Sequence, residues 1–171
     1  MASTLLLWMR MEQHPTFEGG QDIRDRSFEY ACQVVDLCQR LSEGGGVGRL
    51  MVPQLLSCSL SFPAMLEEAR SAESDADFLS KCCIGLKEAR ESWMRMRVCQ
   101  RCRIGPQSGV SALVGEGNEL IAIVTTIIKN KRKSVAAKRA AKKAGATKQG
   151  EAGARAAKRQ ARSHEFQIPD S

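Results

Sequence analysis

A chain of 171 residues, 43% hydrophobic and only 5% aromatic, is long enough for one domain with a real core plus tails. It lacks the strict apolar/polar alternation of strands, which argues against a β-rich fold. The formal net charge of +7 is unevenly placed: residues 1–130 carry 14 Lys/Arg against 16 Asp/Glu, whereas residues 131–163 carry 12 Lys/Arg against Glu151 alone. Basicity is therefore a property of a tail, and such asymmetry points to a polyanionic partner.

Residues 1–21 read as an irregular lead-in, with Pro15 and Gly19-Gly20 as breakers. The short apolar run Leu5-Leu6-Leu7-Trp8 lacks the basic flank and cleavage site of a secretory leader, and Met9 and Met11 are alternative starts. A first helix is predicted from Asp22 or Asp25 to Ser42, with Phe28, Ala31, Val35, Cys38 and Leu41 as its buried stripe, widened by Val34 and Leu37. Gly44-Gly45-Gly46 stops it. A second helix is predicted over Val47 to Arg70, with Pro53 in its first turn, Pro63 kinking its middle, and Leu55, Ser59, Phe62, Leu66 and Ala69 facing inward.

Ser74 is a suitable N-cap for a third helix reaching Cys102, and Asp77 stands where a capping-box acid belongs. Leu79, Cys82, Leu86, Ala89, Trp93 and Met96 alternate spacings of three and four, which makes a sustained apolar seam. Ile104-Gly105-Pro106 breaks the pattern. A fourth helix is predicted from Ser108 or Ser111 to Asn130, with Leu113, Leu120, Ile121, Val124, Ile127 and Ile128 along one side. Links this short make sequential helices antiparallel neighbours. No run approaches the roughly 20 apolar residues of a membrane span.

The tail repeats Ala, Lys and Arg irregularly and has nothing large to bury except Val135. It is expected to be disordered or partly helical: alanine favours helix and like-charge repulsion opposes it. Its cations are the candidate nucleic-acid contacts, first Lys131, Arg132, Lys133, Lys138, Arg139, Lys142 and Lys143, then Lys148, Arg155, Lys158, Arg159 and Arg162. The third helix adds Arg90, Arg95, Arg97, Arg101 and Arg103, among which Arg90, Arg97 and Arg101 share a face at spacings of seven and four. The competing reading is a solvated face paired with Glu91 or with Glu67 and Glu68.

Cys99-Gln100-Arg101-Cys102 is a single C-x-x-C without the second pair or the histidines of a zinc site, so its cysteines read as packing residues. Seven cysteines, spread through helical patterns, fit a reduced cytoplasmic protein. No Glu-x-x-His occurs in the predicted helices, and no phosphate loop, nucleophile elbow or Cys/His pair appears in ordered sequence. No enzyme activity, metal or cofactor is expected.

Ala76-Asp77-Phe78-Leu79-Ser80-Lys81, Leu86-Lys87-Glu88-Ala89-Arg90-Glu91-Ser92 and Asn118-Glu119-Leu120-Ile121-Ala122-Ile123 carry a family resemblance. With Asp25-Arg26-Ser27-Phe28-Glu29 and Gln54-Leu55-Leu56, they resemble the small bacterial "four helix bundle proteins" over roughly Asp22 to Lys131. That family includes proteins encoded in intervening sequences of 23S ribosomal RNA and the accessory variability determinant of diversity-generating retroelements. Ser57 departs from a usual Arg, and Ala64-Met65-Leu66-Glu67-Glu68 departs from a common Ala-Asn-Ile-Ala-Glu. The resemblance implies an antiparallel bundle, a ring-like homopentamer, and contacts to nucleic acid and a reverse transcriptase through a basic outer surface.

The chain is thus read as all-α: a lead-in over 1–21, an up-down-up-down four-helix bundle over 22–130, and a basic tail over 131–171. It is expected to be a non-enzymatic homo-oligomer that binds nucleic acid, RNA ahead of DNA, through the tail, with no membrane partner. The alternative is an adaptor whose bundle surface docks a protein such as a reverse transcriptase, the tail being incidental.

Overall fold

A computed structural model describes the backbone of residues 22–164 and the side chains of residues 22–143. The expected lead-in, the chain end from residue 165, and the side chains of Lys148, Arg155, Lys158, Arg159 and Arg162 lie outside the described residues. The architecture is all-α: α1 spans Ile23–Gly44, α2 Gly46–Arg70, α3 Asp75–Arg101 and α4 Gln107–His164. The chain divides into two units, one ending at Ile128 and the other beginning at Lys129.

Each helix end has a local cause. The Asp22 carboxylate caps α1 by accepting from the Arg24 backbone N–H at 3.0 Å. The Arg24 guanidinium, which also bonds it, holds the Asp22 carboxyl down to about 2. Gly45, at φ +67°, separates α1 from α2, a conformation that costs glycine little. Ser74 caps α3 as predicted, accepting from Asp77 N–H at 3.1 Å. The chain leaves α3 through Arg103 at φ +54°, and Ile104 N–H closes back on the Cys99 carbonyl at 2.8 Å.

Polar ties fix the register. Arg24 reaches Glu67 at 3.8 Å, so α1 and α2 run antiparallel. Lys81 pairs with Glu68, and Arg95 donates to the Gln54 side-chain oxygen at 3.1 Å, which aligns α2 against α3. Trp93 Nε1 donates to the Val114 carbonyl at 3.1 Å and joins α3 to α4. Inside lie Tyr30, Val34, Leu37, Leu55, Phe62, Leu66, Met96, Val110, Leu120 and Val124. Gly117 admits this packing, because a Cβ there would meet Trp93 Cδ1 and the Tyr30 hydroxyl at 3.3 Å.

The inward stripe of α2 is Leu55, Ser59, Phe62, Leu66 and Ala69 as predicted, and the seam of α3 holds at Cys82, Leu86, Ala89 and Met96, with Leu79 and Trp93 half-buried. Three expectations change. In α1 the buried face is Ser27, Tyr30, Ala31, Val34, Leu37, Cys38 and Leu41, while Phe28 is 64% exposed and Val35 half-buried. Ala31, Val34, Leu37, Cys38 and Leu41 are buried as predicted, and the places expected of Phe28 and Val35 go to Ser27 and to Tyr30, whose hydroxyl shares a buried 2.8 Å hydrogen bond with the Ser92 hydroxyl. Pro53 lies about two turns inside α2, because that helix starts at Gly46. The fourth helix does not stop at Asn130: its backbone stays helical to His164, where the sequence pointed to a segment disordered or only partly helical. Alanine, lysine and arginine are good helix formers, and no proline interrupts them.

One part-buried polar cluster ties α1 to α4. Arg26 donates through Nε to Glu116 Oε1 at 3.0 Å and through Nη2 to Glu116 Oε2 at 2.8 Å. The same Nη2 donates to Glu119 at 2.9 Å. The window of α4 between Gln107 and Lys143 is apolar enough, by length and composition alone, to cross a membrane. This differs from the reading of the sequence, in which no run approached a span; Val110, Leu113, Leu120, Val124 and Ile128 of this helix lie in the bundle core, and 33% of the apolar window is buried.

Buried acids give the bundle an alkaline limit. Burial pushes the Cys38 thiol up to about 11 and the Tyr30 phenol up to about 12, and it raises the Cys58 and Cys99 thiols. In the unfolded chain the thiols lose their protons near 9. Above that pH the unfolded state therefore holds fewer protons than the folded one, and stability falls. The melting temperature is expected to hold level from pH 7 to about 8.5 and to drop as pH rises through 9 to 11. A profile level to pH 11 would contradict this assignment.

Candidate nucleic-acid interface

Several cations among the described residues are consumed by the fold. Arg24, Arg26, Arg70, Lys81 and Arg95 have carboxylate partners. Arg95 is the member of the α3 cluster that follows the solvated-face reading: it pairs with Glu91 at 3.1 Å and ties α3 to Gln54. Glu67 and Glu68 go to Arg24, Arg70 and Lys81, not to the cluster.

Arg90, Arg97 and Arg101 are exposed and share one face of α3, and no carboxylate pairs with them among the described residues. Arg97 is held in place: its guanidinium carbon lies 4.7 Å from the centroid of the Trp93 ring, a cation–π contact. The Trp93 ring is itself fixed by its N–H bond to Val114 on α4. This support was not read from the sequence, where Trp93 served only as a seam residue. The four-residue spacing of Trp93 and Arg97 was the available signal.

The second group belongs to the unit beginning at Lys129. Arg132, Lys133, Lys138, Arg139, Lys142 and Lys143 are exposed and Lys131 is half-buried, all on the helical backbone of α4. Residues 131–143 hold seven cations and no acid. A helix presents such charges at fixed spacing, whereas a coil would average them.

The cysteines give no comparable arrangement. Cys99 is buried with its sulfur 4.0 Å from Met51 Sδ, while Cys102 is exposed beyond the end of α3. Among the described residues no three His, Cys, Asp or Glu side chains converge as a metal site would require.

No family model matches the chain, and no curated protein matches it. Among solved structures, the chain is similar to a protein of unknown function from the S23 ribosomal protein family of Bacteroides thetaiotaomicron. The two are 29% identical, the match covers 63% of this chain and 99% of that one, and the TM-score is 0.58. That protein and the bundle described above share a helical fold, and a helical family fits this chain.

Proposed function

We propose that this chain is a non-enzymatic four-helix bundle that self-associates and binds nucleic acid, structured RNA foremost, through the basic segment that follows residue 130. The observation that carries the reading is the charge: 12 Lys/Arg against a single acid over residues 131–163, next to 130 residues of slightly acidic sequence. Such a segment binds phosphates by releasing their counterions and positions a protein without reading sequence. Arg90, Arg97 and Arg101 supply a second, weaker set of contacts from the bundle surface.

Two apolar patches support self-association. Phe28 and Leu60, 64% and 49% exposed, lie along α1 and α2 on the side marked by the Arg24–Glu67 pair. Val47 and Leu50 at the start of α2 lie near the level of Met94 and Val98 at the end of α3, a register set by Gln54–Arg95. Two different patches on one protomer are what a head-to-tail ring requires, since each interface then joins unlike surfaces. A ring-like pentamer, as the family resemblance implies, meets that requirement. It would also gather several basic segments and raise their joint affinity through effective concentration.

The test is a salt titration of binding to a fluorescent RNA hairpin. The logarithm of affinity is expected to fall linearly with the logarithm of salt, with a slope of about −4 or steeper. Binding that ignores salt would overturn the reading. Leu50, 78% exposed, favours the adaptor as a second reading: the Leu50 patch would dock a protein such as a reverse transcriptase, and loss of the basic segment would leave that docking intact.

A further inference from the structure

The arrangement of the cations on α4 narrows the kind of nucleic acid, and this step rests on the function proposed above. In an α-helix each residue turns the chain by about 100° and advances it by about 1.5 Å. Lys131, Lys138 and Lys142 stand at spacings of seven and four and form one row along the helix. Arg132, Arg139 and Lys143 repeat those spacings one residue later and form a second row, about 100° round from the first. Each row is about 16 Å long. Ala136 stands within the second row, while Ala137, Ala140 and Ala141 lie outside both rows, as does Lys133, on the far side from the first. From Lys129 to His164 the sequence has no Phe, Trp or Tyr.

We infer that this two-row face takes a double helix, in DNA or RNA, and not an unpaired strand. Proteins that hold single strands stack bases on aromatic side chains, and this segment has none to offer. What it offers is positive charge at fixed intervals on a rod about 10–12 Å across. A double helix presents one phosphate charge per about 1.7 Å of axis, twice the density of one strand. Its two strands flank a groove, so two rows separated by about 100° address both strands at once. The B-form major groove, about 12 Å wide, admits an α-helix. In A-form RNA the wide, shallow minor groove is the accessible one. Alanines beside the rows keep the rod slim, and the contacts carry no base code.

The experiment uses the full-length protein and three probes of equal length at one salt concentration: a DNA duplex, an RNA duplex and an unstructured pyrimidine strand. It compares the natural chain with a shuffled one carrying Arg139→Ala, Lys142→Ala, Ala137→Arg and Ala140→Lys. The shuffle keeps charge, composition and helix propensity, and it moves two cations to the opposite side of the helix. Circular dichroism checks that helicity is unchanged. The natural chain is expected to bind both duplexes, or one of them, about tenfold tighter than the strand. The shuffled chain is expected to lose that preference while still binding the strand. The arm with the tighter duplex assigns the source, RNA stems or B-form DNA. Equal affinity for duplex and strand, or a shuffled chain that binds duplex as tightly as the natural one, overturns the inference. Failure to bind any probe at low salt overturns the proposed function itself.

Discussion

Glu116→Ala is expected to destabilise the bundle by about 2 kcal/mol, read as a lower urea midpoint at unchanged slope. The Glu116 side chain is 8% exposed and receives both Nε and Nη2 of Arg26, whose own side chain is 13% exposed. Removing one partner of a buried pair leaves a charge that water cannot fully reach, at a typical cost of about 3–5 kcal/mol. Glu119, 66% exposed, remains 2.9 Å from Arg26 and keeps the loss below that range. The paired replacement Arg26→Leu with Glu116→Leu is expected to recover most of the stability, since it leaves no buried charge of this pair behind and Glu119 is exposed to water. A single variant within about 0.5 kcal/mol of the natural chain would show that this cluster is solvated in solution.

The second large effect concerns assembly. Phe28→Glu combined with Leu60→Glu is expected to lower the oligomer mass seen by light scattering while leaving the helical circular dichroism signal in place. Both side chains lie on solvent-facing sides of their helices, so charge there costs the protomer little. The same charge, repeated at every interface of a ring, is desolvated and unpaired. Loss of the oligomer should also weaken RNA binding, because the segments would then act singly. An unchanged mass would remove this patch from the interface and leave Val47, Leu50, Ile84, Met94 and Val98 as the remaining exposed apolar side chains.

Much of the fold was legible because apolar spacing and capping are local signals. The α2 stripe from Leu55 to Ala69 and the α3 cap at Ser74 needed only neighbours three and four residues away. Most of the α1 face was legible too, but Tyr30 was not: its hydroxyl is buried by a bond to Ser92, 62 residues away, a partner that local spacing does not reveal. The Arg26–Glu116 cluster was missed for a related reason: hydrophobic patterning assigns polar residues to the outside. Glu116 in fact continues the inward line of Leu113 and Leu120, at spacings of three and four. The end of α4 was misplaced because a shift in composition was taken for a shift in backbone. Charge reports what a segment meets, while alanine, lysine and arginine together still sustain helix.

The candidate site was legible as charge and not as geometry. Sequence separates the basic segment from the bundle and groups Arg90, Arg97 and Arg101 on one face. It does not reveal that Arg95 also reaches Gln54 on α2, or that Arg97 rests on a fixed Trp93.

The most direct measurement is RNA-hairpin binding by the full-length protein and by a chain ending at Asn130, both at about 50 mM salt, where phosphate contacts are strongest. The shorter chain retains the unit that ends at Ile128. If the basic segment is the nucleic-acid module, the full chain binds, the shorter chain loses at least about a hundredfold in affinity, and raising salt to about 200 mM brings the two together. Equal binding by both chains would place the contacts on the bundle and contradict the central claim.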